Sequence, residues 1–433
     1  MKIEGAKRVA LRGQLRLPGD KSISHRALIL GAIARGVSRV RNFLPSNDCL
    51  ATLECVRALG VDIQRSGDHL LLQGVGLEGL RKPEATLNCQ GSATTMRLLA
   101  GLLAGQPFLS TLDGNPSLRK RPMRRIIEPL QRMGASVVAE NGVLPPLAIR
   151  GGRLQAIDYQ PPVASAQVKS AILLAGLYAE GRTIVRELVP TRDHTERLLH
   201  LMGADIESSK GNVTIRSSPL GAIDLSIPGD ISSAAFLIVA ACLFPGSEII
   251  LSKVGVNATR TGLLETLKRM GAEIEVENVG REGNEPVADL IVKSAGLRGV
   301  EVGGDIIPRL IDELPILAVA ATQAEGVTMV RDASELRFKE SDRITTIVRE
   351  LRKMGAQIEE RSDGFIVEGP TRLHGVRLES HGDHRLTMAL AVAALVAEGE
   401  SFIAGGDCAA DSFPYFEETL KALLTSRRST PPA

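Results

Sequence analysis

The chain has no tryptophan, and only three tyrosines and nine phenylalanines among its 433 residues. So few flat rings exclude the stacked aromatic platforms on which single-stranded nucleic acid is bound. Charge of one sign is also missing. The 52 Lys and Arg stand against 50 Asp and Glu, leaving a formal net charge of +2 and no general attraction to nucleic acid or an acidic membrane. Charges or glycines interrupt every long apolar run, and the opening MKIEGAKRVALRGQLRLPG has no apolar core of signal-peptide length. Neither secretion nor a membrane span is expected, which points to the cytoplasm. Cys49, Cys55, Cys89, Cys242 and Cys408 lack C-x-x-C spacing and a nearby His pair, so they read as reduced packing thiols.

Familiar catalytic signatures are missing too. GDKS at 19–22 resembles part of a phosphate-binding loop, but Asp20 stands where the lysine of G-x-x-x-x-G-K-[ST] belongs. No G-x-S-x-G, H-E-x-x-H or dinucleotide fingerprint occurs, so neither a metal nor another cofactor is expected.

What the chain does have is a repeat. The phrase L-x-x-(M/L)-G-(A/V)-x-(I/V) or a close variant occurs five times, with glycines at 60, 134, 203, 271 and 355. Each copy reads as a helix end: apolar residues at helical spacing, a glycine suited to a left-handed C-cap, then a β-prone run. A second pattern occurs six times, an Ala/Leu-rich helix followed by a β-prone stretch, as in ALILGAIARGVSRV (27–40) and LTMALAVAALVAEGESFI (386–403). The chain is therefore six related units, the sixth cut short after EETLKALL. Helices apolar nearly all round are buried, and their alternation with strands indicates an α/β fold. Three units per domain is the simplest partition, with a crossing near IPGD (227–230), which echoes LPGD (17–20). The domains are then 1–19 plus 229–433, and 20–228. The final SRRSTPPA (426–433) reads as a disordered tail.

Polar residues gather where the apolar helices begin. The six starts are DKSISHR (20–26), GSATTMR (91–97), SAQVKS (165–170), DISS (230–233), IDELP (311–315) and GDHR (382–385). One such start is capping. Several at equivalent points of a repeat suggest helix N-termini, with their free N–H groups, converging on a polyanionic ligand. SLRKRPMRRI (117–126) and RFKESDRI (337–344) add cations; each also reads as a solvated face or as i,i+3 and i,i+4 surface pairs. Carboxylates such as Asp312 and Glu340 among arginines and lysines suit proton transfer on phosphorylated, carboxylated substrates. DCAADSFPYF (407–416) reads as structural, and His25 as packing or support.

In order along the chain, PGDKSISHRALIL, TTMRLLAG, LRKRPM, SAQVKSAILLAGL, RDHTERLL, IDELPILAVAAT, RFKESDR, GDHRLTMA and SFPYF resemble the 5-enolpyruvylshikimate-3-phosphate synthase family, from about residue 10 to 420. The resemblance implies two inside-out α/β barrel domains, each of three repeated units, with a ligand cleft between them. It also implies transfer of the enolpyruvyl group of phosphoenolpyruvate to the 5-hydroxyl of shikimate 3-phosphate, in the shikimate pathway to chorismate and aromatic amino acids. Those two small molecules are the implied partners, with no nucleic acid, membrane or cofactor, and a monomer is expected.

Carried over position by position, Lys21, Ser22, Arg26, Ser165, Gln167, Thr191, Asp312 and Lys339 match shikimate 3-phosphate contacts. Lys21, Ala93, Arg121, Gln167, Arg343 and Arg385 match phosphoenolpyruvate contacts. Asp312, Glu340 and Lys21 match the proton-transfer groups. Planar guanidiniums suit a ligand with both carboxylate and phosphate. Ala93 replaces a glycine common in the family, which implies weak inhibition by glyphosate, longer than phosphoenolpyruvate, through a clash that spares the shorter ligand. Asp411 stands where some members place a lysine and receives no ligand role. Two alternatives stand beside this reading. The related UDP-N-acetylglucosamine enolpyruvyl transferases carry Lys-Asn at Lys21-Ser22 and a reactive cysteine in the loop matching 112–121, where LDGNPSLRKR has none. A non-catalytic anion-binding protein would need the cations but not both carboxylates.

Overall fold

The computed structural model describes residues 1–5, 9–209 and 211–425; the expected tail at 426–433 lies outside them. Two compact units emerge, one formed by Met1–Pro18, Pro228–Gly280 and Pro286–Ala433, the other by Gly19–Ile227 with Arg281–Glu285. The sequence reading puts 281–285 in the first domain. They group instead with the second unit, where Glu285 lies 2.7 Å from His194 Nδ1 and Arg197 donates to the carbonyl of Asn284 at 2.8 Å.

Each unit has its own apolar core built on three helices. In the second unit these are Lys21–Ala32, Ala93–Ala104 and Ala166–Gly176, and in the first Ile231–Leu243, Leu314–Thr322 and His384–Val396. Within His384–Val396 all twelve residues from His384 to Leu395 are buried, as the absence of a polar stripe requires. Strands cover these helices, so the usual α/β layering is reversed.

The sheets follow one plan. Leu109–Asp113 pairs antiparallel with Leu144–Arg150, which pairs with Ser136–Glu140, while Leu87–Asn88 joins Leu109–Asp113 in parallel. Arg182–Arg186 repeats this with Asn212–Arg216, Ile206–Ser209 and Asp158–Tyr159. Ala34–Arg41 repeats it with a hairpin, but its parallel partners, Leu220–Gly221 and Asp224–Ser226, come from the far end of the unit. The unit therefore closes on itself. In the first unit, Arg12–Arg16 runs parallel to Glu248–Gly255 and Glu301–Val302 to Gly326–Val330. The truncated sixth repeat is completed differently: Arg377–Glu379 joins Glu400–Ala404 in parallel, and Lys2–Glu4 pairs with its other edge, antiparallel.

The repeated glycines occupy the left-handed conformation that the sequence pattern calls for, with φ between 79° and 105° at Gly60, Gly134, Gly203, Gly271 and Gly355. Gly101 serves packing instead. A β-carbon there would lie 2.2 Å from the carbonyl oxygen and 2.7 Å from the Cα of Ala171, so the second and third buried helices touch backbone to backbone. Gly101→Ala must push these helices apart, and a loss of about 1–3 kcal/mol is expected in urea unfolding. Gly152→Ala, with no atom within 4 Å of its β-carbon, is the control expected to leave the midpoint in place. Equal midpoints for the two variants would refute the backbone contact.

Candidate active site

Five of the six buried helices begin with a side-chain cap. Asp20, Ser92, Ser165, Asp230 and Asp383 accept from backbone N–H groups two or three residues on, Asp20 from Ile23 at 2.9 Å and Asp383 from Arg385 at 3.0 Å. The exception is Leu314–Thr322. Glu313 stands at its cap but makes no capping bond. Its carboxylate accepts instead from the Ser232 hydroxyl and lies 3.5 Å from Arg385 Nη1.

In the second unit, the start of Lys21–Ala32 carries Lys21, Ser22 and Arg26. Lys21 Nζ pairs with Asp48 at 3.1 Å. Arg26 is buried and almost fully engaged: Nε donates to Thr195 at 2.6 Å, Nη2 to Ser170 at 2.8 Å and Nη1 to the Ser22 carbonyl at 2.9 Å. Burial pushes its guanidinium down to about 10, against the opposing charges of Glu196 and Asp20. His25 is enclosed, with Nδ1 2.7 Å from Thr52 Oγ1. Burial, and then the charges of Lys21 and Arg26, hold it well below the usual histidine value and hence neutral.

Gln167 receives a 2.5 Å hydrogen bond from Arg97 and donates to Thr94 at 2.8 Å, which ties the third buried helix to the first turns of the second. Ala93 is the buried first residue of that second helix. Ser165 caps the third. Thr191 donates both its amide, at 3.1 Å, and its hydroxyl to Glu187. Arg121 is buried just beyond the short helix Pro116–Arg119.

The first unit gathers Asp312, Lys339, Glu340, Arg343 and Arg385. Arg343, with a side chain only 1% exposed, is their centre: it reaches Asp383 at 2.8 Å, Asp312 at 3.0 Å and Glu340 at 2.5 Å. Burial acts against its charge, but Asp383, Glu340 and Asp312 outweigh it and hold the guanidinium protonated above the ordinary arginine value. Lys339 lies 3.3 Å from Asp312 and Arg385 4.0 Å from the same carboxylate. Thus five expected residues of the first unit form one network, while those of the second unit stand at three helix starts, at Thr191 beside Glu187 and at Arg121 beyond the short helix. The aromatics of 407–416 pack as a structural element, with Phe413 5.5 Å and Phe236 6.0 Å from Phe416, while Tyr415 is exposed.

Several supporting residues escaped the sequence reading: Asp48, Arg97, Lys169, Glu187, Glu196, Glu313, Glu350 and Asp383. Asp383 had a signal, its place in the GDHR helix start. Glu350 had none, since at i+7 from Arg343 it reads as one more polar residue on a mixed helix. It is fully buried, accepts from Lys353 at 2.8 Å, His381 Nε2 at 3.0 Å and the Glu379 amide at 3.1 Å, and so anchors the turn leading to Asp383 and Arg385.

A three-repeat, helix-inside unit present twice, with cations and carboxylates at its helix starts, defines an enolpyruvyl-transferase fold. Over 100% of this chain and 99% of its own, the enolpyruvyl transferase NikO from Streptomyces tendae matches with TM-score 0.79 at 20% identity, a likeness of fold. EPSP synthase from Acinetobacter baumannii matches more closely, with TM-score 0.87 and 43% identity over 98% of both chains. Residues 6–420 match the family model of EPSP synthase (3-phosphoshikimate 1-carboxyvinyltransferase), and the chain belongs to that family. Curated relatives named 3-phosphoshikimate 1-carboxyvinyltransferase include one from Desulforamulus reducens, 54% identical over 96% of this chain and 97% of its own. Another, from Pelotomaculum thermopropionicum, is 53% identical over 98% and 99%. No helix among the described residues is long and apolar enough to cross a membrane.

Glu350 supplies a test of the support beneath the first-unit network. Burial raises its carboxyl, but the bonds from Lys353, His381 and the Glu379 amide prevail and hold it below the ordinary glutamate value. A depressed carboxyl stabilises the fold above the unfolded value of about 4.3, and that contribution drains away as pH falls through the folded value. Wild type should therefore exceed Glu350→Gln in unfolding free energy at pH 7, with the gap closing below about pH 4.3. A gap of constant size from pH 7 to pH 3 would contradict this.

Proposed function

We propose that the networks described above serve transfer of the enolpyruvyl group of phosphoenolpyruvate to the 5-hydroxyl of shikimate 3-phosphate, releasing phosphate. The observation that carries this reading is Arg343, one buried guanidinium that holds both Asp312 and Glu340. An anion-binding protein has no need to fix two carboxylates on one cation, whereas a reaction that adds a proton and later removes one does. The names of the curated relatives favour shikimate 3-phosphate over a UDP-sugar as acceptor.

In this reading shikimate 3-phosphate is held by Lys21, Ser22, Arg26, Ser165, Gln167, Thr191, Asp312 and Lys339. Phosphoenolpyruvate is held by Lys21, Arg121, Gln167, Arg343 and Arg385, with Ala93 bordering it. Glu340 gives a proton to the phosphoenolpyruvate methylene. The resulting cationic carbon is attacked by the 5-hydroxyl, whose proton passes to Asp312, with Lys21 alongside. The product of this addition is a tetrahedral ketal. Glu340, now a base, removes a proton from the new methyl group, the double bond re-forms and the C–O bond to phosphate breaks. Atoms and electrons balance without a redox partner. The 3.0 Å and 2.5 Å pairs with Arg343 support the two carboxylates as a fixed couple.

Ala93 supports the reading of ligand choice. It is buried in the first turn of its helix, so its methyl group has no route away from a ligand lying there. Purified protein is expected to release phosphate only when both substrates are present, to lose about a hundredfold or more in kcat with Glu340→Gln, and to keep its fold in that variant. Glyphosate should inhibit it weakly, and Ala93→Gly should lower the half-inhibiting concentration by about tenfold or more. Phosphate release without shikimate 3-phosphate, or none with both, would reject the transferase reading. Strong inhibition of the wild type would reject only the Ala93 argument.

A further inference from the structure

Behind the start of the third buried helix lies a set of charges that the proposed chemistry does not use. Lys169, two residues after Gln167, has a side chain 1% exposed, and its ammonium lies 2.9 Å from Glu187 and 2.6 Å from Glu196. Glu187 directly follows the strand Arg182–Arg186, and Glu196 sits in the first turn of the helix His194–Leu201. Both carboxylates bear on expected ligand residues. Glu187 accepts the hydroxyl and amide of Thr191. Glu196 directly follows Thr195, whose hydroxyl accepts from Arg26 Nε at 2.6 Å; its negative charge favours the charged guanidinium, and its second oxygen has no hydrogen-bond partner.

The buried carboxylate of Glu196, with the partly buried one of Glu187 on the same ammonium, would offset the Arg26 charge and repel an incoming anion if left unpaired. Lys169 offsets one of the two charges and is held to both by direct contact. We propose that Lys169 is a positioning residue for anion binding: by pairing with Glu187 and Glu196 it keeps the Lys21–Arg26 helix start electropositive and pins the Thr191 loop. This inference rests on the reading that shikimate 3-phosphate docks at that helix start. Lys169 touches no substrate; it acts through Arg26 and Thr191.

A structural role and a charge-balancing role differ in sign. If the ion pairs serve only stability, removing either partner harms the protein alike. If they balance charge, losing Lys169 weakens the anion site, while losing the charge of Glu196 does not. Gln at 196 keeps an oxygen for Lys169 and removes one negative charge. The test is calorimetric titration of shikimate 3-phosphate into wild type, Lys169→Met, Lys169→Arg, Glu196→Gln and the double variant K169M/E196Q, with steady-state kinetics beside it.

Lys169→Met should bind at least about tenfold more weakly, and Lys169→Arg should recover most of the loss. Glu196→Gln should bind at least as tightly as wild type, and the double variant should return to within about threefold of it. The KM for shikimate 3-phosphate should follow these values, while kcat and the KM for phosphoenolpyruvate move by less than about threefold. Wild-type affinity in folded Lys169→Met, or a loss in Glu196→Gln as large as in Lys169→Met, would overturn the inference. If Lys169→Met does not fold, Glu196→Gln and the double variant decide, and weakened binding in both overturns it. Wild-type protein that binds no shikimate 3-phosphate would sink the functional reading and this inference with it; the variants separate the two failures.

Discussion

A helix buried along its whole length has only its ends for polar chemistry. That constraint organises the rest of this molecule. The bodies of the six buried helices carry Ala, Leu, Ile and Val because no stripe of them meets water, so the charged groups these helices bear stand at or near their starts. A first turn also presents unpaired N–H groups and the positive end of the helix dipole, which makes it the natural place to receive an anion. Burial of the helix bodies and the anion-friendly character of their starts are thus consequences of one arrangement.

Within the first unit the arrangement converges on Arg343. A guanidinium with so little exposure is tolerable only because three carboxylates surround it. Asp383 does double work there, capping the helix His384–Val396 with one oxygen and holding Arg343 with the other. The backbone position of the sixth buried helix and the side-chain position of Arg343 are therefore set by the same carboxylate. Glu313 extends the coupling to the fourth and fifth buried helices by giving up its capping bond for Ser232 and Arg385.

Much of this was legible in the sequence, for identifiable reasons. The repeat was readable because its glycines must take up a left-handed conformation and its helices must be apolar all round, and both demands leave marks on consecutive residues. Lys21, Arg26, Asp312 and Arg385 were readable because they stand at or just before the heads of those helices, and Glu340 and Arg343 because RFKESDRI packs both signs of charge into one short stretch. The supporting ions were not. Glu187, Glu196 and Glu350 lie among ordinary polar residues, and nothing local distinguishes a glutamate whose helix face turns inward from one that meets water. RFKESDRI shows the ambiguity well: Glu340 and Arg343 do form the i,i+3 pair of a surface helix, yet the arginine is buried. The grouping of 281–285 with the second unit was equally hidden, since it depends on His194 and Arg197, some ninety residues away by sequence.

The strand Lys2–Glu4 fills the place of the hairpin that the sixth repeat lacks, and its pairing with Glu400–Ala404, like the bond from the Met1 amine to the Ile403 carbonyl, spans 402 positions or nearly so. This fixes an order of events during synthesis. Residues 19–227 supply the three larger sheets of their unit, including the strands 220–226 that close it, so most of that unit can assemble while the ribosome is still at work. Residues 2–4 are made long before residues 400–402, with which they pair. Their unit cannot complete the sheet of its sixth repeat until that distant strand exists, so this pairing carries the high sequence separation that slows folding whatever the local propensity.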